Sequence, residues 1–369
     1  MLVDNKHYQS IWVDEADPQV IRVIDQQKLP FRFEIKELRS VDDIYNAIRD
    51  MTVRGAPLIG AAGAFGIYLA VLEMNSKTNM AVHLENAARY LLSSRPTAVN
   101  LSWAISVVLG KLSLIKDSTL LAKTAFDTAL MICDKEKANC MDIGRHGLKL
   151  IEGILESKGG NTVNILTHCN AGWLACIDYG TATAPIYLAH ESGIPVHVWV
   201  DETRPRNQGA GLTAWELGKA GVDHTLVCDN TGGHLMQHGM VDLVLVGCDR
   251  ATIKGDVANK TGTYLKALAA YDNKVPFYSA FPSTSFDFDL EDGIRDIPVE
   301  ERDPEEVIYV TGLSEGHTGK VRICPENTRA VNYGFDVTPA KLITGLITEK
   351  GICKAKEKDI KAMFAGKQV

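Results

Sequence analysis

The chain has 369 residues, 46% hydrophobic and 23% charged, a composition typical of a globular protein with room for two domains. Its net charge of −7 argues against a nucleic-acid partner, so a small anionic substrate would need a local basic pocket. No apolar run reaches the roughly 18 residues of a membrane span, and the first residues lack a signal-peptide core. Together with eight scattered cysteines, these features lead us to expect a cytoplasmic location, reduced thiols and no membrane contact.

The first half of the chain combines a strand pattern with a helical one. Apolar and polar residues alternate within 8–37 in a way typical of strands. We predict strands at 10–13 and 31–35 around a turn at Leu29–Pro30. Helices are then predicted at 41–49, 58–72, 79–93, 100–115 and 119–155. The last helix exceeds about 25 residues, so we expect it either to break or to run between domains.

After Gly159 short apolar strands alternate with helices. The pattern predicts strands at 163–166, 196–200, 224–227, 243–246, 277–280 and 307–310, and helices at 180–191, 212–220, 232–239 and 261–271. Such alternation is typical of a doubly wound parallel sheet, so the predicted fold class is α/β.

Two reactive side chains follow predicted strands. Cys169 comes just after the strand at 163–166, and Asp249 comes just after the strand at 243–246. Ligands of open α/β sheets bind beyond the carboxyl ends of the strands, so we expect the thiol and the carboxylate to share one crevice. His168 precedes Cys169, but neighbouring residues of a strand point to opposite faces, which argues against a Cys–His pair.

Two predicted helix starts are candidate anion sites. Arg54 and Gly55 precede Pro57, and a guanidinium beside the free N–H groups of a helix favours phosphate. Asn259 is a reasonable N-cap, which would place Lys260 in a first helical turn, where a bound anion would explain it. The alternative for both segments is an ordinary helix start with a solvated charge.

Other polar groups are weaker candidates. Arg204 and Gln208 follow the strand at 196–200 and offer hydrogen bonds to hydroxyl or phosphate groups, although the same loop would also be explained by internal salt bridges. His234 and His238 have a spacing compatible with a metal, but no third ligand with a clear spacing accompanies them, so no metal site is predicted.

Several ordered motifs between about residue 20 and residue 353 resemble one family. The chain is similar to S-methyl-5-thioribose-1-phosphate isomerases in Arg54-Gly-Ala-Pro57, Arg95-Pro-Thr-Ala-Val-Asn-Leu101, Thr167-His-Cys-Asn-Ala-Gly172, Glu202-Thr-Arg-Pro205, Gln208-Gly-Ala210, Gly255-Asp-Val-Ala-Asn-Lys260 and Phe335-Asp-Val-Thr-Pro339. The resemblance implies a small N-terminal domain of strands and helices (1–140), a Rossmann-like C-terminal domain (141–369) and a homodimer. It also extends to 5-deoxyribose-1-phosphate isomerases and to regulatory subunits of a translation initiation exchange factor.

The resemblance implies isomerisation of an aldose 1-phosphate to a ketose 1-phosphate in methionine salvage, without a metal or nucleotide cofactor. Cys169 and Asp249 would be the catalytic pair. Asp249 would protonate the ring oxygen, while Cys169 would either act as a base or stabilise charge during hydride transfer. The implied substrate contacts are Arg54, Gly55, Ala56, Arg95, Gln208, Asn259 and Lys260; of these, Arg95 follows from the resemblance alone.

One departure from the family pattern leaves the substrate open. Trp173 stands where many members carry a small residue, and it either fills the core or narrows the pocket around the 5-substituent of the sugar. In the second case 5-deoxyribose 1-phosphate would be the substrate, alone or beside the methylthio sugar. A non-catalytic regulatory protein with the same fold is the alternative of another class.

Overall fold

The computed structural model describes residues 1–75, 79–95 and 99–365. It begins with a hairpin of β1 (Leu2–Val3) and β2 (Lys6–His7), followed by an antiparallel sheet of β3 (Ile11–Val13), β4 (Ile21–Ile24) and β5 (Ile35–Leu38). The prediction of a strand at 31–35 is wrong except for its last residue, and β4 was not predicted. Arg32 N–H donates to the Lys28 carbonyl and Asp25 N–H to the Glu34 carbonyl. These backbone groups therefore bond within a local turn instead of pairing with a neighbouring strand.

Five helices follow, close to their predicted positions: α1 (Val41–Arg49), α2 (Ala56–Leu72), α3 (Met80–Ser93), α4 (Val99–Leu112) and α5 (Leu121–Ser157). Helix α2 is buried along its length from Ala56 to Val71. A Cβ atom on Gly63 would lie 2.4 Å from Leu101 Cδ1, so the small residues of α2 allow α4 to pack closely against it. No helix in the described ranges is long and apolar enough to cross a membrane.

Helix α5 is one unbroken helix of 37 residues, so the predicted break is absent, and the alternative of a helix that runs between domains stays a prediction. It packs against α2 of the first half and against α6 (Ala184–Glu191) and β17 (Gly345–Thr348) of the second. The boundary at residue 140 falls inside this helix and stays a prediction.

The remaining elements build two further sheets and a hairpin. The strands are β6 (Val163–Thr167), β7 (Val196–Asp201), β8 (His224–Val227), β9 (Leu243–Val246), β10 (Arg250–Thr252), β11 (Val257–Lys260), β12 (Phe277–Ala280), β13 (Phe286–Asp287), β14 (Tyr309–Ser314), β15 (His317–Arg322), β16 (Phe335–Thr338), β17 and β18 (Gly351–Cys353). The helices after α6 are α7 (Ala214–Ala220), α8 (Thr231–Gln237), α9 (Thr263–Asp272), α10 (Gly293–Asp296), α11 (Glu305–Ile308) and α12 (Glu357–Phe364).

The large sheet is the doubly wound sheet that the sequence predicts. Its seven strands lie in the order β18-β17-β12-β9-β6-β7-β8, parallel except for β18. Numbered from β6, its six parallel strands have the Rossmann order 3-2-1-4-5-6. The strand order reverses between β6 and β9, which is where a sheet of this kind opens a crevice for a ligand.

Three predicted elements differ from the structure. Helix α6 begins at Ala184 instead of 180, because Gly180 takes a left-handed conformation with φ +82°. The strand predicted at 307–310 is the end of α11 followed by β14, which pairs with β15. Residues 257–260, where the sequence predicts a helix start at Asn259 and no strand, form β11 in a four-stranded sheet with β10, β13 and β16.

Replacement of the buried Glu136 by glutamine should stabilise the folded protein by an amount that depends on pH. Burial in the middle of α5, reinforced by the Glu349 carboxylate, raises the pKa of Glu136 to about 7 from an ordinary value of 4.5. The folded protein therefore holds this proton more tightly and loses stability as the pH rises from 4.5 towards about 7. We expect Glu136→Gln to raise the free energy of unfolding by up to about 3 kcal/mol near pH 8 and little near pH 4.5.

Calorimetry at the two pH values checks this expectation. Glu152→Gln, an exposed position on the same helix, is the matched control and should change neither value. An equal gain at both pH values would contradict the assignment of the effect to a titrating carboxyl group.

Candidate active site

The two reactive residues follow neighbouring strands at the point where the strand order reverses. Strands β6 and β9 pair in register, with Ile165 opposite Leu243 and Leu166 opposite Val244. Cys169 comes two residues after β6, and Asp249 comes three residues after β9. The structure thus brings both to one edge of the sheet, as the sequence predicts.

Cys169 is buried in a backbone conformation that few side chains adopt. Its φ of +66° lies in the left-handed region, which costs of the order of 1–3 kcal/mol unless the surroundings fix it. Two hydroxyl groups do so: Thr203 Oγ1 accepts from Cys169 N–H at 2.8 Å, and Thr213 Oγ1 donates to the Cys169 carbonyl at 2.7 Å. The direction of the thiol is therefore set by the loop that follows β7.

Asp249 is a buried carboxyl group surrounded by cations. Burial raises its pKa above the ordinary value, and the positive charges of Lys260, Arg95 and Arg54 oppose this rise without cancelling it. The group lines a pocket together with Arg95, Ala56, Ile59, Arg250, Ala258, Ile297, Pro298 and Phe335. A carboxyl group with a raised pKa can serve as a proton donor near neutral pH.

Asn259 and Lys260 lie at the end of β11, so the prediction of an N-cap at Asn259 is wrong. Asn259 extends the strand beside Asp336 of β16, and Gly262, with φ +108°, starts α9 instead. Lys260 is buried above the Phe335 ring, with Nζ 5.3 Å from its centroid. Burial lowers the pKa of Lys260, while the charges of Cys169 and Asp249 raise it, which places its ammonium group within electrostatic reach of both.

The segment before α2 carries Arg54 to the same site. Its Nη1 donates to Asn170 Oδ1 at 2.6 Å and its Nη2 to the Asn170 carbonyl at 2.8 Å, which ties it to the residue after Cys169. A Cβ atom on Gly55 would lie 2.4 Å from the Ala175 carbonyl oxygen, and its φ is +92°. Only glycine fits this approach of α2 to the loop after β6.

Arg95 and Gln208 complete the predicted set. Arg95 is buried, and its Nη2 lies 3.2 Å from Glu300 Oε2. Within the described ranges, Arg95 Nε and Gln208 Oε1 are buried without a hydrogen-bond partner. Buried polar groups are nearly always paired, so both are suited to contact a ligand.

The charges of the site suit a phosphate group. Arg54, Arg95 and Lys260 act on the Asp249 carboxyl as three positive charges, and Glu300 acts as one negative charge. This excess of positive charge attracts a phosphate monoester, whose charge is about −2.

Sequence reasoning missed the residues that hold these groups in place: Asn170, Thr203, Thr213 and Glu300. Thr203 and Asn170 lie inside motifs of the family resemblance, which was the available signal. Arg204 donates to the carbonyl groups of Pro205 and Val307, so it anchors the loop. Arg206 does form a salt bridge, but with Glu306 of α11 at 2.9 Å and not within the loop as the alternative expected.

Trp173 lies in the core. The indole is 1% exposed and packs with Trp215, the two ring centroids being 6.2 Å apart. The structure therefore favours the interpretation in which this side chain fills volume over the one in which it narrows the substrate pocket.

Two histidine-containing groups have side chains of the kinds that bind metals. His238 Nδ1 lies 2.9 Å from the His234 carbonyl, and these two rings belong to no group of three potential ligands among the described residues. His168, Asp201 and Asp229 do come together, but the Lys266 ammonium lies 3.0 Å from Asp201 Oδ2 and supplies a cation there.

Removing either of two cations should weaken phosphate binding. We expect Arg54→Ala and Lys260→Ala each to weaken binding of sugar phosphate and inorganic phosphate by about 10- to 150-fold, since a hydrogen bond to a charged group contributes roughly 1.5–3 kcal/mol. Titration calorimetry with both anions measures this. Lys254→Ala, an exposed lysine between β10 and β11, is the matched control. Unchanged binding of both anions would remove the substituted residue from the phosphate site.

The chain is similar to several known proteins. A model described as the initiation factor 2 subunit family matches residues 52–355. A methylthioribose-1-phosphate isomerase of Desulfatibacillum aliphaticivorans is 56% identical over the full length of both chains, and one of Gluconobacter oxydans is 53% identical over 99% of this chain and 98% of that one. The crystal structure of 5-methylthioribose 1-phosphate isomerase from Pyrococcus horikoshii OT3 has a TM-score of 0.83 and 35% sequence identity to this chain. The match covers 97% of this chain and 96% of that one. The crystal structure of the translation initiation factor eIF-2B, subunit delta, from A. fulgidus has a TM-score of 0.77 and 36% sequence identity to this chain. The match covers 97% of this chain and 99% of that one.

Proposed function

This chain belongs to the initiation factor 2 subunit family, and from that premise we propose that it is an aldose–ketose isomerase of methionine salvage. Its substrate is S-methyl-5-thio-α-D-ribose 1-phosphate and its product S-methyl-5-thio-D-ribulose 1-phosphate. The observation that carries the proposal is a buried Asp249, with its pKa raised by burial, among three cations at the strand-order reversal of the sheet.

Ring opening is the first demand of this chemistry. Because phosphate occupies the anomeric oxygen, the ring oxygen must gain a proton as its bond to carbon 1 breaks. Asp249 donates this proton, since burial keeps its carboxyl group protonated at a higher pH than an ordinary aspartate. A bound phosphate dianion raises this pKa further, so substrate binding itself favours the acid form.

Hydrogen transfer from carbon 2 to carbon 1 is the second demand. We assign it to Cys169, whose thiolate removes the proton from carbon 2 and returns it to carbon 1. The proton of the carbon 2 hydroxyl passes to Asp249 as the ketone forms, which restores the acid. Lys260 stabilises the thiolate, because its ammonium group interacts with both Cys169 and Asp249. The mechanism uses side chains of the protein alone.

Binding of the phosphate group orients the sugar. Arg54, Arg95 and Lys260 supply charge, and the Gln208 and Asn259 amides supply hydrogen bonds, with Gly55 and Ala56 allowing the backbone at the start of α2 to approach. Binding energy at the phosphate then holds the reacting carbons near Asp249 and Cys169.

Two alternatives are less well supported. The assignment of 5-deoxyribose 1-phosphate as the substrate depended on Trp173 lining the pocket, but the indole of Trp173 lies in the core. A non-catalytic regulatory protein would have no use for a buried carboxyl group with a raised pKa beside a strained cysteine.

The deciding experiment compares kcat/KM of the purified protein for methylthioribose 1-phosphate and 5-deoxyribose 1-phosphate. We expect conversion of the methylthio sugar with the higher kcat/KM. A preference for the deoxy sugar would overturn the substrate assignment, and conversion of neither would support the regulatory alternative.

We further propose a cytoplasmic homodimer. Helix α9 exposes apolar side chains along one face, at Tyr264, Leu265, Leu268 and Tyr271, and such a face is typical of an interaction surface. Sedimentation equilibrium should give twice the mass of one chain, and Leu265→Glu should lower it. A monomeric wild type would contradict the dimer, and a dimeric variant would assign it to another surface.

A further inference from the structure

The residue before Cys169 belongs to a buried cluster of charged groups that does not line the pocket around Asp249. His168 and Asp201 are fully buried, with Nδ1 of the ring 2.9 Å from Asp201 Oδ2. The Lys266 ammonium lies 3.0 Å from the same oxygen and donates to the Asp229 carbonyl. We call His168, Asp201 and Lys266 the histidine clamp.

The second nitrogen of the ring also faces an oxygen. His168 Nε2 lies 2.9 Å from the carbonyl oxygen of Thr261, which can only accept a hydrogen bond. Nε2 must therefore donate. Nδ1 faces a carboxylate oxygen that already receives the Lys266 ammonium, and such an oxygen is an acceptor.

The charges around the ring favour the same assignment. Besides Asp201 on β7, Asp229 Oδ1 lies 3.8 Å from Nδ1, and Asp336 on β16 is electrostatically coupled to the ring and to Lys266. Three carboxyl groups thus face a single ammonium group from the surrounding elements. A positive ring reduces the excess of negative charge in this buried region.

From these contacts we infer that His168 carries hydrogens on both ring nitrogens and acts as a charged clamp. It joins the end of β6, which leads to Cys169, to the Thr261–Gly262 segment, which follows Lys260. The His168 ring is fully buried and does not line the pocket around Asp249, so we assign it the part of a positioning residue, and the role in turnover rests on the proposed function.

The packing of the segment explains why the ring position matters. A Cβ atom on Gly262 would lie 2.8 Å from His168 Cε1, so the segment lies flat against the ring. Gly262 N–H also donates to Asp336 Oδ2 at 2.6 Å, which fixes the segment from its other side. Any shift of the ring therefore moves the backbone next to Lys260.

Neutron diffraction from wild-type crystals grown near pH 8, where an ordinary histidine ring is neutral, tests the protonation directly. We expect deuterium on both Nδ1 and Nε2 of His168. A bare Nδ1 facing a deuterated Asp201 carboxyl group would overturn the inference. This result is independent of turnover, so it stands even if the protein converts no sugar phosphate.

Asp201→Asn tests the positioning role. We expect its kcat to fall by about 10- to 100-fold with a smaller change in KM, because misplaced reacting groups lose rate while Arg54 and Arg95 still hold phosphate. We also expect kcat to recover partly towards pH 6, where an imidazole without its carboxylate regains a second proton.

Asp242→Asn is the matched control, since Asp242 anchors Lys158 and the Asn164 N–H at the opposite end of the sheet. It should lower stability without changing kcat or its pH profile. If Asp201→Asn behaves like this control, His168 has only a structural role. If Asp201→Asn does not fold, His168→Gln, which keeps one donor for Thr261, is measured instead; its kcat should fall with a smaller change in KM and should not recover towards pH 6, since glutamine does not titrate, and an unchanged kcat would leave His168 only a structural role.

Discussion

Asp249→Asn is expected to abolish nearly all turnover while the protein stays folded and still binds substrate. The amide has the shape of the carboxyl group but no proton to give to the ring oxygen, and loss of a general acid costs about 10²–10⁴-fold in kcat. In the wild type, kcat should fall as the pH rises through the raised pKa of Asp249, because the acid form is then lost. Steady-state kinetics across pH measures both effects.

Stability separates this result from simple damage. Because the folded-state pKa of Asp249 lies above its ordinary value, ionisation of the buried group reduces stability as the pH rises, and the neutral amide escapes this loss. Asp249→Asn should thus be at least as stable as the wild type at neutral pH. Asp289→Asn, at an exposed position, controls for the exchange itself. A normal kcat in Asp249→Asn would refute the acid assignment.

Cys169→Ser is expected to be the second severe variant. Serine has nearly the same shape and keeps the hydrogen bonds to Thr203 and Thr213, but it is a poor substitute for a thiolate. Loss of the base should lower kcat by about 10²–10⁴-fold and leave inorganic phosphate binding nearly unchanged. Cys228→Ser, at an exposed cysteine, is the control.

The deuterium content of product formed in D₂O then tests whether the hydrogen moves from carbon 2 to carbon 1 as a proton or as a hydride. If the Cys169 thiolate moves a proton, product formed in D₂O should contain some deuterium at carbon 1. No deuterium after prolonged incubation would support hydride transfer, and Cys169 would then act by stabilising charge.

The sequence predicted the parallel sheet well because its strands are short apolar runs bounded by polar or glycine residues. It therefore placed Cys169 and Asp249 at the same sheet edge. Strand β11 was missed because only two of the four residues in Val257–Lys260 are apolar, and its pairing with β16 joins residues some eighty positions apart. Such pairing leaves no local periodicity to detect.

The candidate site was predictable only in part for a similar reason. Arg54 and Lys260 could be chosen from local chemistry, but Arg95 owes its place to burial beside Glu300, over two hundred residues away. The histidine clamp likewise joins β6, β7 and α9, so no single segment reveals it. Trp173 was ambiguous because a core and a pocket wall demand the same apolar side chain.

Helix α5 has a consequence for how substrate enters. At about 1.5 Å per residue its 37 residues form a rod of roughly 55 Å, in contact with both halves of the molecule. A clam-like opening at residue 140 would have to break hydrogen bonds inside this rod. We therefore do not expect substrate to reach the buried Asp249 through a hinge at residue 140.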